Sequence, residues 1–275
     1  MNEPRATSPE VRLLVRPRRF ETVNWIGVWT LYRREIRRDL AFQINSLWGP
    51  VVTNLLFLAV FGLAATNGSI ATDPANLLAF VAPGLISFAL ISRSFELSAS
   101  SLLFDKLEGM IADVLQPPIG PLERLVALAA AAVSFGIAGG SILAIVMWFF
   151  VDITPQAPIA LLIFAVLSAL MLGLAGMIGG LWARRWEHYA MLTTFFVVPA
   201  SYLSGMFYPL DALPGFARSL TLLNPIFYAI DGVRYGFTGT AQASLATGLL
   251  YLLAVNAILG LIVYALFRRG WRLKH

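Results

Sequence analysis

The chain has 275 residues, of which 58% are hydrophobic and only 13% are charged. Soluble domains carry about 45–50% apolar and about 25% charged residues, so this composition excludes a soluble globular protein and indicates an integral membrane protein. The formal net charge of +5 would raise the question of nucleic acid in a soluble protein, but here the basic residues flank apolar runs and no nucleic-acid partner is expected.

The chain begins with a polar, arginine-rich arm, residues 1–40. Between Trp25 and Ile36 the apolar residues recur at helical spacing with arginines beside them, which predicts an amphipathic helix lying in the membrane interface. Such a helix anchors to lipid, and the same helix can also offer a docking surface to a soluble partner. The candidate partner contacts on it are Tyr32, Arg33, Arg34, Glu35 and Arg38.

Residues 41–275 are predicted to form a single transmembrane domain. A hydrocarbon core about 30 Å thick needs roughly 20 apolar residues of helix, and about six stretches meet that requirement. These predicted spans are residues 47–65, 77–98, 124–151, 158–182, 190–208 and 245–267.

Lysine and arginine residues set the predicted orientation. With six alternating spans, the basic residues of the arm, of the second and fourth connections and of the C-terminal tail all fall on one side. The connections at 66–76 and 152–157 contain no basic residue, and the last long connection contains only Arg218 and Arg234. We therefore expect a multi-pass protein of a bacterial inner membrane with both termini in the cytoplasm.

The second connection is predicted to contain a short amphipathic cytoplasmic helix, residues 105–118. Charged and apolar residues interleave there, and Pro117 and Pro118 end the helix because proline lacks an amide donor and clashes with the preceding turn. An ordinary interfacial helix and a docking element both fit this pattern. The candidate partner contacts are Asp105, Lys106, Leu107, Glu108, Met110, Ile111, Asp113, Leu115 and Pro117.

The last connection, residues 209–244, is too apolar for a free loop but is broken by Pro209, Pro214 and Pro225. Non-helical backbone at membrane depth needs protein or a water-filled cavity around it, so a re-entrant pair of short helices on the outer side is predicted. Asp231 and Arg234 are three residues apart and are expected to pair and to brace the return into span six. The alternative is an exposed pair that contributes little.

Three regions carry a family resemblance: residues 105–118, the run 204–209 with Leu213 and Pro214 after it, and the stretch from Asn224 to Gly236. They resemble the permease subunits of ABC-type 2 exporters, among them the YadH-like and NodJ-like bacterial proteins, and the resemblance covers nearly the whole chain from Trp25. It implies the fold already outlined: an all-α integral membrane protein with six transmembrane helices, an N-terminal interface helix and outer re-entrant helices before span six.

The resemblance also implies partners. Two copies of the chain would form the pathway, and two copies of a separate nucleotide-binding ATPase subunit, which carries ATP and Mg, would drive it through a coupling helix at 105–118. The outer gate would consist of Tyr208, Pro209, Leu213, Pro214, Asn224, Pro225 and Tyr228.

Spans two and five would line the substrate pathway, with Phe88, Arg93, Phe95, Glu96, Phe195, Phe196, Tyr202 and Phe207 as candidate residues. For each aromatic residue, contact with lipid or with the protein core is an alternative. Arg93 and Glu96 can equally form a structural pair at the end of span two.

No catalytic, metal or cofactor site is predicted in this chain. It has no Gly-x-x-x-x-Gly-Lys-Ser/Thr loop, no His-Glu-x-x-His motif and no cysteine, which disfavours a membrane enzyme. The predicted function is the membrane subunit of an ATP-driven exporter of a hydrophobic or amphipathic cargo, drug-like, lipid or lipid-linked glycan. The alternative, an ion-coupled transporter or channel, requires acidic or histidine relays at mid-membrane depth, and none is apparent.

Overall fold

The computed structural model describes residues 23–43, 48–66, 74–109 and 119–271, and all regular secondary structure in these ranges is helical. The helices are α1 (Trp25–Gln43), α2 (Trp48–Thr66), α3 (Pro74–Leu107), α4 (Pro121–Trp148), α5 (Pro158–Trp182), α6 (Trp186–Leu192), α7 (Val198–Tyr202), α8 (Gly215–Leu223), α9 (Pro225–Thr238) and α10 (Leu245–Arg269). A π-helical turn, Thr193–Val197, joins α6 to α7, and a 3₁₀ turn, Leu210–Ala212, precedes α8.

Five of these helices, α2, α3, α4, α5 and α10, are long and apolar enough to cross a membrane. The predicted all-helical membrane fold is therefore confirmed, and the predicted fourth span coincides with α5. The predicted fifth span, 190–208, is not one long helix. Instead α6, the π turn and α7 follow one another from Trp186 to Tyr202, a length of about 25 Å at 1.5 Å per residue.

Helix α3 is longer than the predicted second span because it continues to Leu107. Asp105, Lys106 and Leu107 are therefore the last turn of α3. The sequence had predicted that they begin a separate short helix, and they do not. The helix ends two residues before Gly109, whose φ of 70° is a left-handed conformation that favours glycine and terminates helices. Apolar composition could not reveal this extension, because its charged residues have partners on other helices: Asp105 on α1 and Lys106 at the end of α5.

Helix α3 lies at the centre of the bundle, against α2, α4, α5 and α9. Glycine pairs with four-residue spacing allow neighbouring helices of the bundle to approach one another closely. They are Gly136 and Gly140 in α4, Gly176 and Gly180 in α5, and Gly232 and Gly236 in α9. A Cβ atom on Gly176 would lie 2.5 Å from the Phe95 carbonyl oxygen, and one on Gly232 would lie 2.0 Å from the Phe164 ring. Small residues of this kind bring membrane helices into backbone contact.

The two ends of the bundle differ in charge. The C-terminal ends of α3, α5 and α10 and the start of α4 meet at one end, where the Arg124 guanidinium lies 5.9 Å from the Phe267 ring centroid. We call this the arginine-rich end, because α1, Arg184, Arg185, Arg268 and Arg269 belong to it. The opposite end contains α8 and α9, and there the Ala157 amide donates to the Gly236 carbonyl at 3.0 Å.

Prolines begin the short helices of the last connection. Pro214 directly precedes α8, and Pro225 is the first residue of α9, a position where the missing amide donor costs no intrahelical hydrogen bond. Asn224 caps α9, since its Oδ1 accepts from the Ile226 amide at 3.1 Å. Most of α9 is buried against α3, α5 and α10, whereas α8 is largely exposed.

Candidate functional site

An ionic cluster fixes α1 to the end of α3. Asp105 accepts hydrogen bonds from Arg34 and Arg38, both at 2.7 Å, and Glu35 accepts one from the Ser101 hydroxyl at 2.7 Å and pairs with Arg38. Glu35 is only 1% exposed. Burial raises the pKa of the Glu35 carboxyl above its ordinary value, and the positive charge of Arg38 opposes this.

A second ion pair ties the same two helices together. Arg93 of α3 donates to Asp39 of α1 at 2.8 Å and to Glu96 at 2.8 Å. Its guanidinium also lies 6.0 Å from the Phe135 ring centroid. The contact between Arg93 and Glu96 that the sequence suggested is therefore present, and Asp39 is an additional, buried partner from α1.

The apolar face of α1 packs on the protein. Tyr32 contacts the cluster formed by Leu97, Ala131, Ala132 and Phe135, and its hydroxyl lies 3.1 Å from the Ser134 hydroxyl. Among the five predicted partner contacts on this helix, Arg33 is exposed, Tyr32, Arg34 and Arg38 are partly buried, and Glu35 is enclosed. Helix α1 thus joins the bundle through its polar and apolar sides together.

Lys106 connects α3 to the end of α5. Its Nζ donates to the Leu181 carbonyl at 3.0 Å and to the Ala183 carbonyl, which are acceptors left free at a helix C-terminus. Its sequence neighbour Asp105 binds α1. We name this two-residue junction, Asp105 with Lys106, the α3 clamp. Leu107 and Glu108 follow the clamp at the surface, while Met110, Ile111, Asp113, Leu115 and Pro117 lie outside the described residues.

The predicted pathway residues separate into several places. Phe88, Tyr202 and Phe207 meet in an aromatic cluster, with ring centroids 5.8 Å apart for Phe88 and Tyr202 and 5.5 Å apart for Tyr202 and Phe207. Phe57 and Phe61 of α2 complete this cluster. Phe57 and Phe61 were not predicted from the sequence, although aromatic residues four apart in a span were a visible signal.

The other aromatic candidates lie closer to the arginine-rich end. Phe95 is buried and stacks on Tyr189, with centroids 6.5 Å apart. Phe195 and Phe196, in the π turn, are 70% and 62% exposed. The structure therefore does not bring the predicted pathway residues of one chain into a single enclosed channel.

The predicted gate residues surround the turn between α7 and α9. Asn224 donates to the Ala200 carbonyl and to the Ser204 hydroxyl, both at 2.7 Å, which joins the start of α9 to the end of α7. Tyr228 is buried, with its ring centroid 4.9 Å from that of Tyr251 in α10. The remaining gate candidates, Tyr208, Pro209, Leu213, Pro214 and Pro225, are exposed or partly buried.

The predicted pair of Asp231 and Arg234 is not formed. Both residues are buried within the described chain, but Asp231 accepts from the Gln242 and Ala243 amides at 2.9 and 3.0 Å. Arg234 donates to the Gly205 carbonyl at 2.7 Å, and its guanidinium lies 3.8 Å from the Phe80 ring centroid. The prediction of a direct pair was wrong because backbone groups that converge only in the fold are the nearer partners.

Two polar residues that join helices, Glu123 and Asn256, were not predicted from the sequence. Glu123 accepts from the Asn24 and Gly120 amides, each at 2.6 Å, so it caps α4 and holds the start of α1. Asn256 of α10 donates to the Leu167 carbonyl of α5 at 3.1 Å. Among the residues that the structure describes, no group of histidine, cysteine and carboxylate side chains is arranged to bind a metal ion.

Comparison with known proteins identifies a family. The family model described as ABC-2 type transporter matches residues 27–238. The chain is 29% identical over 250 residues to the inner membrane transport permease YadH of Escherichia coli K12, covering 91% of this chain and 98% of that protein. It is 26% identical over 216 residues to nodulation protein J of Rhizobium meliloti, covering 77% of this chain and 80% of that protein.

Proposed function

Because the chain belongs to the ABC-2 type transporter family, we propose that it is the permease of an exporter that moves a hydrophobic or amphipathic cargo out across the bacterial inner membrane. The family implies the membrane subunit of an ABC transporter, associated with an ATPase subunit. We propose two copies of this chain and two copies of the ATPase in the complex. ATP and Mg²⁺ would bind to the ATPase, which supplies the energy by hydrolysis.

The proposed topology has six crossings with both termini in the cytoplasm. Five crossings are the long apolar helices, and the stretch from Trp186 to Tyr202 would be the sixth. Its two ends support this assignment: Tyr189 lies on Phe95 near the arginine-rich end, whereas Ser204 contacts Asn224 beside α9 at the other end. The arginine-rich end would then face the cytoplasm. Residues 1–40 would form the cytoplasmic arm and residues 41–275 one transmembrane domain.

The α3 clamp is the single observation that carries the proposed coupling mechanism. Asp105 binds Arg34 and Arg38 of α1, and Lys106 binds the last carbonyls of α5. The predicted ATPase contacts around Met110 come directly after this clamp in the sequence. A movement of that segment would therefore act on α1, α3 and α5 together, and packed helices with few alternative arrangements transmit such a displacement.

On the outer side, α8, α9 and the turn before them would form the gate. The gate candidates from Tyr208 to Tyr228 lie around the contact between Asn224 and the end of α7. For cargo to be released on the outer side, the contact regions of the two copies of the chain would have to move apart. The aromatic cluster of Phe88, Tyr202 and Phe207 lies beside it and would offer an apolar, weakly charged surface to a lipid, a drug-like molecule or a lipid-linked glycan.

The test begins with a candidate ATPase subunit of the kind that the family implies, co-expressed with this chain and reconstituted with it in proteoliposomes. We expect Lys106→Met to retain the ATPase and its ATP hydrolysis while lowering export of a fluorescent lipid, a lipophilic dye or a lipid-linked glycan several-fold per ATP hydrolysed. Lys106→Arg, which keeps donors for the α5 carbonyls, should retain most coupling. Unaltered export per ATP in Lys106→Met would remove the clamp from the mechanism.

A second variant tests the docking segment. An apolar side chain at the centre of an interface can contribute ~2 kcal/mol or more, so Met110→Asp should lower the amount of ATPase that co-purifies at least tenfold. Export that persists in vesicles lacking any ATPase would contradict the proposed function itself and would favour an ion-coupled transporter.

A further inference from the structure

An apolar groove of about 520 Å³ runs along the bundle towards the arginine-rich end. It lies between α5, the π turn and α10, and all of its lining residues are apolar or glycine. Ala175 and Ile178 form one wall, Phe196 and Val197 form the second, and Ile262 and Leu266 form the third. Its volume is in the range of about 300–1,000 Å³ that small-molecule ligands occupy.

The groove ends between two indoles, Trp182 of α5 and Trp271, just after α10. Tryptophan is enriched where a membrane protein meets the headgroup region, because its ring is apolar and its N–H is polar. Arg184 and Arg185 follow Trp182 closely, and Arg268 and Arg269 lie between Leu266 and Trp271. Four exposed arginines are thus within three residues in sequence of residues that line this end of the groove.

These four arginines differ from three others at the same end of the bundle. Arg34, Arg38 and Arg93 each form an ion pair with a carboxylate. None of the four groove arginines forms an ion pair with any residue that the structure describes, and the carboxylate nearest to them in the sequence is Glu187. The protein therefore leaves a concentrated positive charge beside an apolar groove.

We propose that this groove binds an anionic phospholipid of the leaflet at the arginine-rich end, such as phosphatidylglycerol. One acyl chain would fill the apolar groove, the headgroup phosphate would lie among Arg184, Arg185, Arg268 and Arg269, and the two indoles would flank the glycerol region. Each basic residue near an anionic surface adds a favourable electrostatic attraction. A zwitterionic lipid would fill the groove equally well but would gain less from the arginines.

A second copy of the chain fits this surface poorly. In a two-fold symmetric dimer the same surface patch meets itself, so the unpaired arginines of the two copies would face one another, and like charges across an interface are unfavourable. The lipid has both features that the groove requires, an apolar chain and a negative headgroup. The proposal does not depend on export or on the ATPase.

Native mass spectrometry of the purified full chain tests the proposal. After exchange into a delipidating detergent, phosphatidylglycerol and phosphatidylcholine with identical acyl chains are added separately, and the bound lipid is counted. We expect about tenfold tighter retention of phosphatidylglycerol. The variant Arg268→Gln/Arg269→Gln should lose most of this preference without altering phosphatidylcholine retention, and Ala175→Leu, which fills the groove, should lower retention of both lipids.

The matched control is Arg33→Gln/Arg37→Gln, which removes two exposed arginines from α1 at the same end of the bundle. It should keep the wild-type preference. Equal retention of the two lipids, or an equal loss of preference in the control, would overturn the proposal. If Ala175→Leu changed the fraction of dimer and left lipid retention unaltered, the groove would belong to an interface between copies and the proposal would fail.

Discussion

Arg93 of α3 and Asp39 of α1 form an ion pair at 2.8 Å in which both side chains are only 3% exposed. The pair joins an interface helix to the central helix of the bundle, and Glu96, at the same distance from Arg93, is partly exposed. Charges enclosed in this way remain only where they are paired, because removing one partner leaves an unbalanced charge in a poorly solvating environment. The docking of α1 is therefore a structural requirement of the bundle.

The first prediction tests this ion pair. We expect Asp39→Ala to destabilise the protein by about 3–5 kcal/mol because Arg93 loses its buried partner. Asp39→Leu/Arg93→Met, which replaces both charges with apolar groups, should recover a large part of that loss. Thermal unfolding followed by fluorescence-detected size exclusion would measure both. Arg218→Gln is the control: its contact with Asp211 is exposed and should matter little, and a comparable loss there would contradict the prediction.

The second prediction concerns helix contact through glycine. In Gly176→Ala the new methyl group would lie 2.5 Å from the Phe95 carbonyl oxygen, so α3 and α5 must separate, at a cost of about 1–3 kcal/mol. Gly260→Ala in α10, where the new methyl group would meet no neighbouring helix within 4 Å, should be neutral or slightly stabilising. Thermal midpoints of the two variants are the measurement, and equal midpoints would show that the contact can relax.

The third prediction concerns Asn224, which caps α9 and donates to two groups at the end of α7. Asn224→Ala removes the cap and both donated hydrogen bonds, so we expect a loss of about 1–3 kcal/mol. Asn224→Asp keeps the capping acceptor but cannot donate, and it should also be destabilised. Ser219→Ala, at an exposed position of α8, is the control. Thermal unfolding would decide, and a wild-type midpoint for Asn224→Asp would mean that the α7 contact contributes nothing.

The fourth prediction separates a direct ion pair from two backbone contacts. Asp231 binds the Gln242 and Ala243 amides, while Arg234 binds the Gly205 carbonyl. Exchanging the two residues, Asp231→Arg/Arg234→Asp, should therefore leave the protein at least as destabilised as the worse single variant, because neither new side chain suits its backbone partners. Yield of monodisperse protein and its thermal midpoint provide the measurement. Substantial recovery in the double variant would establish a direct pair.

The fifth prediction concerns topology and uses the absence of cysteine in the natural chain. Single cysteines at Ser8 and Lys274 should react with a membrane-impermeant maleimide only after the cytoplasmic side is opened. Cysteines at Ser69 and Gln156 should react in intact spheroplasts. If Ser69→Cys were labelled only from the cytoplasmic side, the proposed orientation would be wrong, and a mixed pattern for Ser69 and Gln156 would contradict six crossings.

The sequence determined the class of the protein and located the apolar stretches that form its long helices. Twenty-residue apolar runs are a local property, which is why residues 158–182 were predicted correctly as α5. The π turn within the fifth predicted span, and the end of its helix at Tyr202, were less visible. Residues 190–208 are apolar throughout most of their length, yet the π turn and the left-handed Gly205 depend on the backbone conformation that the surrounding helices allow.

Only the tertiary structure decided how the polar residues are used. Arg93 and Glu96 were predictable as neighbours because residues three apart meet on one helix face, but Asp39 lies 54 residues away from Arg93 in the chain. Lys106 likewise finds its acceptors 75 and 77 residues further on, and Asp231 selects backbone amides over the nearby Arg234. Hydropathy and spacing report which residues share a helix face, whereas the partner of a buried charge depends on which helices the glycine contacts bring together.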